Sequence, residues 1–156
     1  MNNDRRFINR AIEIAVEGID KGNGPFGAVI AKNGRIISEA VNSVVHLNDP
    51  TAHAEILAIR KASEILSTYD LSDCTLYTSC EPCPMCLGAV YWSGIKKVVY
   101  SNDRTDAELA GFSDKMIYDE LALDPGKRKI SFIRLEDSAG EEIFRKWDEY
   151  EGKTPY

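Results

Sequence analysis

Asn33-Gly34 constrains the fold of this chain more tightly than any other dipeptide in it. Both residues accept φ > 0, which two-residue hairpin turns require and most side chains resist. Short apolar-rich runs flank the pair, so the spacing predicts strands over 26–32 and 35–41. Ahead of the hairpin, Ile8, Ala11, Ile12, Ala15 and Ile19 recur at helical spacing after Asp4, a candidate N-cap, and Gly22-Asn23-Gly24-Pro25 ends that helix. Behind it come a polar loop over 42–50, a helix over 52–66 capped by Thr51, a strand over 74–78, a helix over 82–93 and a strand over 96–100. Residues 103–124 are mainly helical until Pro125-Gly126, and 129–135 alternate like a strand. The last helix starts at Ser138 and Glu141, a capping-box spacing, with Ile143, Phe144, Trp147 and Tyr150 on one side.

This order of elements predicts an α/β fold with five strands, a hairpin first and parallel crossovers after it. The 156 residues suit a single domain over 1–156. A chain of this size buries roughly 68–70% of its unfolded surface and can hold a core without disulfide staples. The longest apolar stretch, 86–92, is far short of the ~18 residues of a membrane span, and the N-terminus lacks the apolar run of a secretion signal. A cytoplasmic protein is the expectation. There, four Cys read as thiols or metal ligands rather than a disulfide framework. The net charge of −6, concentrated in 103–156, argues against affinity built on neutralising phosphates. It leaves a small nucleobase open as a partner.

Two segments carry chemistry: Thr51-Ala52-His53-Ala54-Glu55 and Glu81-Pro82-Cys83-Pro84-Met85-Cys86. Cys83 and Cys86 are spaced i,i+3 at a predicted helix start, so both sulfurs leave one face, and the helix N-terminus favours thiolates. Two thiolates make half a Zn²⁺ site, and His53 can supply a third ligand. Glu55 lies roughly 200° around a helix from His53, so both reach one site only off the end of the helix. Three protein ligands leave the fourth tetrahedral position open, as catalytic zinc requires, and a non-ligating carboxylate beside it can carry a proton. Other readings remain. A lone Cys-x-x-Cys can be redox-active or structural, and a closed zinc site can recruit Cys80 with Cys74 or His53. Cys80-x-x-Cys83-x-x-Cys86 lacks the fourth Cys of an iron–sulfur run, since position 90 is Val. Cys74 and Cys80, on or beside a predicted strand, read as core, and His46 as an exposed loop residue.

His-x-Glu followed by Pro-Cys-x-x-Cys is the signature of zinc nucleobase deaminases. Together with 24–30, Asn42, 49–55 and 78–86, it makes the sequence resemble the cytidine/cytosine deaminase-like superfamily over nearly its whole length. The resemblance implies a three-layer αβα sandwich around a mixed five-stranded sheet. It also implies one Zn²⁺ per subunit on His53, Cys83 and Cys86, with Glu55 as proton shuttle. Residues 103–114, 117–121 and 153–156 resemble the guanine deaminase branch of that superfamily. That branch implies hydrolysis of guanine to xanthine and ammonia by a homodimer whose C-terminal elements help close the site. Asn42 would then bond the base edge, the Ala54 and Cys83 backbone would orient its oxygen or the water, and Phe26 or Trp92 would stack on the ring. Asp114 would assist with the purine or a proton, and Tyr156 would act as a lid. Asn42 can instead bond its own loop backbone, and Phe26 and Trp92 can be plain core. Guanosine, cytosine and tRNA adenosine deaminases share the metal pattern, though a tRNA binder should carry a basic face. A zinc module that only holds the fold is the reading from another class.

Overall fold

In the computed structural model, which describes residues 3–136 and 139–155, Asn33 and Gly34 take φ of 51° and 73°. They join β1 (Gly27–Lys32) to β2 (Arg35–Val41) as an antiparallel hairpin whose last pair is Lys32 with Arg35. The other edge of β1 pairs antiparallel with β3 (Thr75–Cys80), and β3 pairs parallel with β4 (Lys97–Asn102). The sheet order is β2-β1-β3-β4. The two central strands therefore carry the apolar runs Gly-Ala-Val-Ile-Ala and Leu-Tyr, as strands covered on both faces should.

Residues 1–114 and 115–156 form two compact units. In the first, α1 (Asn3–Ile19) lies on one face of the sheet and α3 (Ala54–Leu66) on the other, with α2 (Val44–Leu47) between β2 and α3. Strand alternation divides the core accordingly. Val29, Ala31 and Tyr77 meet Phe7, Ala11 and Ile14 of α1. Ala28, Ile30 and Leu76 meet Ala54, Ala58, Ile59 and Ala62 of α3, together with Val90 of α4 (Pro84–Trp92). This is the expected αβα layering. Each large apolar side chain buried there contributes about 1.5–3 kcal/mol. Gly27 is obligatory at the α1 contact, because a Cβ would run into the backbone carbonyl of Ala11 and stand 2.8 Å from the amide nitrogen of Ala15.

The first unit ends with α5 (Arg104–Leu109), whose Asp103 side chain accepts from Thr105 N and Asp106 N at 2.8 and 3.0 Å. Asp106 Oδ2 returns the bond to Asp103 N at 3.0 Å, a complete capping box. The second unit contains α6 (Lys115–Leu121), a 3-10 turn at Pro125–Lys127 and α7 (Glu141–Glu149). No described helix is long and apolar enough to cross a membrane.

The sheet has four strands, not the expected five. Residues 129–135 make no ladder, and Ile130, Phe132, Ile133 and Leu135 stand exposed. Alternation specifies which side chains share a face, but a strand also needs an edge to pair with, and the second unit contains no other strand among its described residues. Two helix starts also differ. Asp4 lies inside α1, where its carboxylate accepts from Tyr77 Oη at 2.6 Å and Lys97 Nζ at 2.8 Å, tying the helix to β3 and β4. Gly140 holds the N-cap position of α7, and Ser138 lies outside the described residues.

Candidate active site

Thr51 does not cap α3. Its amide and hydroxyl both donate to Asp49 Oδ1, at 2.8 and 2.7 Å, and 49–53 wind through a tight turn. The helix therefore begins two residues later than expected, with His53 at the N-cap, extended at φ −68° and ψ 152°. Cys83 occupies the same position on α4, followed by Pro84 in the first turn, where a missing N–H costs nothing. Two N-caps thus face each other across the end of the sheet. The convergence of helix starts that the spacing demanded is present, built from the candidate metal-ligand residues themselves.

Cys83 Sγ and Cys86 Sγ each lie 3.5 Å from His53 Nδ1. All three candidate ligand atoms fall within 4.8 Å of one another. Zinc fits this set: Zn–S of about 2.3 Å and Zn–N of about 2.0–2.1 Å at tetrahedral angles put sulfur and nitrogen roughly 3.5–3.6 Å apart. Cys74 and Cys80 are not members. Both are buried, with thiols pushed up to about 11 chiefly by desolvation, and the Cys80 thiol donates to the Asp103 carbonyl at 3.4 Å. They are the core residues expected, and the cluster keeps three protein ligands.

The local electrostatics suit a cation. The Cys86 thiol, with His53 also beside it, holds Cys83 down to about 4, so Cys83 is a thiolate at neutral pH. The hydrogen bond to Cys83, with burial behind it, pushes Cys86 up, and a hydrogen bond to the same Cys83 raises His53. Glu55, in the first turn of α3, is buried at 5% exposure, and burial raises its carboxyl above the ordinary range. The hydroxyl of Thr78, on β3, donates to Glu55 Oε1 at 3.4 Å. A buried carboxyl whose affinity for a proton is raised, beside the Cys83 thiolate, suits proton exchange.

The remaining expected residues divide. Asn42 is buried, its amide donates to Phe26 O at 2.9 Å, and its Oδ1 accepts from Val44 N at 3.3 Å. That side-chain bond is the local backbone contact weighed for it. Gly24 lies against this amide, since a Cβ there would sit 2.8 Å from Asn42 Oδ1. Phe26 is half-buried, stacked edge-on against Phe112 at 5.0 Å between ring centroids. Ala54, fully buried, opens α3. Asp114 is half-buried, and its carboxyl is raised first by desolvation and then by the Cys83 charge. Trp92 ends α4, about 13 Å along the helix axis from Cys83, and is 71% exposed. It is neither core nor beside the cluster on its own helix. Tyr156 lies outside the described residues. His46 is exposed as expected, on the short α2 rather than in a loop. Thr78 and Ser79 were not foreseen. Ser79 Oγ accepts from Gly27 N at 3.0 Å and holds the start of β1 beside the site; a polar pair in a buried strand is the sequence signal for both.

Residues 1–102 match the family model of the cytidine and deoxycytidylate deaminase zinc-binding region. The chain belongs to this deaminase family. Among relatives, guanine deaminase of Bacillus subtilis (strain 168) is 49% identical over 155 residues, 99% of each chain. A crystal structure of guanine deaminase from that species superposes with a TM-score of 0.95, covering 97% of this chain and 98% of that one. Guanine deaminase from Nitrosomonas europaea gives a TM-score of 0.67 at 37% identity, over 70% and 64% of the two chains. A tRNA-specific adenosine deaminase of Aquifex aeolicus (strain VF5) is 50% identical, but over only 95 residues, 61% of this chain and 63% of that one. The α/β fold above is the one shared with the Bacillus subtilis guanine deaminase structure.

Proposed function

We propose that this deaminase hydrolyses guanine to xanthine and ammonia with one zinc ion per subunit. The observation that carries the reading is the buried carboxylate of Glu55 beside a three-ligand cluster of His53, Cys83 and Cys86. Guanine is favoured over other bases because the likeness to a guanine deaminase extends through 103–156, beyond the zinc-binding region. The acidic balance supports a free purine over a tRNA.

His53, Cys83 and Cys86 would hold the zinc, which would supply a Lewis acid that lets water act as a nucleophile near neutral pH. The Glu55 carboxylate takes one proton of the attacking water and delivers it to the ring; it then takes the remaining proton of that oxygen and gives it to the amine leaving C2. One water is consumed and one ammonia released. Asn42 donates from Nδ2 to the base edge, and its Oδ1 bond to Val44 holds it in place. The first-turn amide of Ala54 has no partner within its helix and can donate to the oxygen of the base or the water. Phe26 packs on the purine face, braced by Phe112. Asp114 and Tyr156 assist at the purine. The whole chain, 1–156, acts as one deaminase domain, as a homodimer, in the cytoplasm.

Ammonia release from guanine, guanosine, adenine, cytosine, cytidine and a tRNA anticodon stem-loop tests this reading. Guanine should be turned over fastest. Turnover of the RNA alone would overturn it, and zinc binding with no turnover of any substrate would return the site to a structural role.

A further inference from the structure

Thr78 lies on the α3-facing side of β3, between Leu76 and Cys80, in register with Ala28 of β1 and Tyr100 of β4. Its strand neighbour on that face is Leu76, and Ala28, Ala54 and Ala58 belong to the same apolar cluster. Thr78 itself is fully buried. Valine would fill this volume with better strand propensity and no polar atom to desolvate, and a hydroxyl here is unfavourable unless it is bonded. The acceptor it has is the carboxylate of Glu55, at 3.4 Å.

The two partners differ in freedom. Thr78 is β-branched and sits in a central strand paired on both sides, so its hydroxyl is a fixed point. Glu55 has three rotatable side-chain bonds and occupies the first turn of α3, two residues beyond His53. A flexible carboxylate that must meet one reacting atom gains rate from being held in one orientation before reaction.

We propose that Thr78 is a positioning residue: its hydroxyl, by donating to Oε1 of Glu55, holds the proton-carrying carboxylate in one rotamer beside the His53–Cys83–Cys86 cluster. The proposal rests on Glu55 as the proton carrier in guanine hydrolysis. Thr78 does not touch the base, so its loss lowers kcat and leaves KM nearly unchanged.

Thr78→Val keeps the shape and removes the donor, Thr78→Ser keeps the donor, and Thr78→Ala removes it without adding bulk. With zinc content and Tm measured on each protein, Thr78→Val and Thr78→Ala should lose about tenfold in kcat, roughly 1.4 kcal/mol in the barrier. KM should stay within about twofold, and Thr78→Ser should recover to within about threefold of the parent. In the Glu55→Gln background, Thr78→Val should cost nothing further, because residues acting through one group are not additive. In crystals of Thr78→Val, or of Thr78→Ala if that protein does not fold, the Glu55 carboxylate should leave its parental rotamer. An unchanged rotamer overturns the proposal whatever the rate. So does an unchanged kcat, a loss confined to KM, or a Thr78→Ser protein as slow as Thr78→Val. If the parent protein releases no ammonia from guanine, the reading of the reaction fails, and the crystallographic comparison still judges the role of Thr78.

Discussion

Replacing Glu55 with Gln changes one carboxylate oxygen to an amide in a pocket where only 5% of the residue is exposed. Shape and the acceptor for Thr78 survive, and the ability to carry a proton is lost. General acid–base catalysis contributes typically 10²–10⁴ in rate, so kcat for guanine should fall by about that factor, or roughly 2.7–5.4 kcal/mol in the barrier. Zinc content should not change, because Glu55 is outside the ligand set. The same substitution has a second, opposite signature in metal-free protein. Burial raises the folded-state carboxyl of Glu55 above its unfolded value, so ionising it opposes folding. That cost is absent below the unfolded value near 4.5 and grows as pH rises towards the folded one. The Tm of Glu55→Gln should therefore match the parent's at acid pH and exceed it increasingly towards neutrality. Steady-state ammonia release, zinc analysis and thermal melts across pH measure all three. Undiminished kcat with zinc retained would refute the assignment of the proton carrier, and a Tm difference that shrinks as pH rises would refute the burial argument.

Other perturbations test separate parts of the account. Gly27→Ala forces a methyl into the α1 backbone and should cost at least the ~1–3 kcal/mol typical of overpacking, read by urea unfolding. Asn42→Ala should raise KM for guanine about tenfold, the value of one hydrogen bond of roughly 1.4 kcal/mol, with a smaller effect on kcat. Chelation should lower Tm, and zinc at a hundredfold excess over Kd should restore about 2.7 kcal/mol of stability. Zinc affinity should fall as pH drops through the raised His53 value, because protons compete for the ligand nitrogen. Deleting 153–156 should reduce guanine turnover with the dimer intact by light scattering; full activity in that protein would remove Tyr156 from the site.

The side-chain cluster was legible because its signal is chemical: His53, Cys83 and Cys86 have the donor atoms and the spacing to come together, and Glu55 has the offset that demands a helix end. The hairpin was legible because Asn33 and Gly34 tolerate φ that other residues resist. The start of α3 was not, because Thr51 is a preferred N-cap residue and His53 is not, and sequence does not show Asp49 capturing the Thr51 hydroxyl and amide. The fifth strand failed for a related reason. The alternation in 129–135 is real, but pairing depends on an available edge, which sequence period does not encode. Asp103-x-x-Asp106 carried a capping box as readable as the one expected at Ser138. Thr78 escaped notice because a threonine in a strand is ordinary until its hydroxyl is seen against a buried carboxylate.

Guanine hydrolysis here should run on one zinc per chain. Titrating metal-free protein with zinc, while following both bound metal and xanthine formed from guanine, tests it most directly. Activity should rise linearly with bound zinc, stop at one equivalent, and be abolished by Cys83→Ala or Cys86→Ala. Full turnover without zinc, or none at one equivalent, would contradict it.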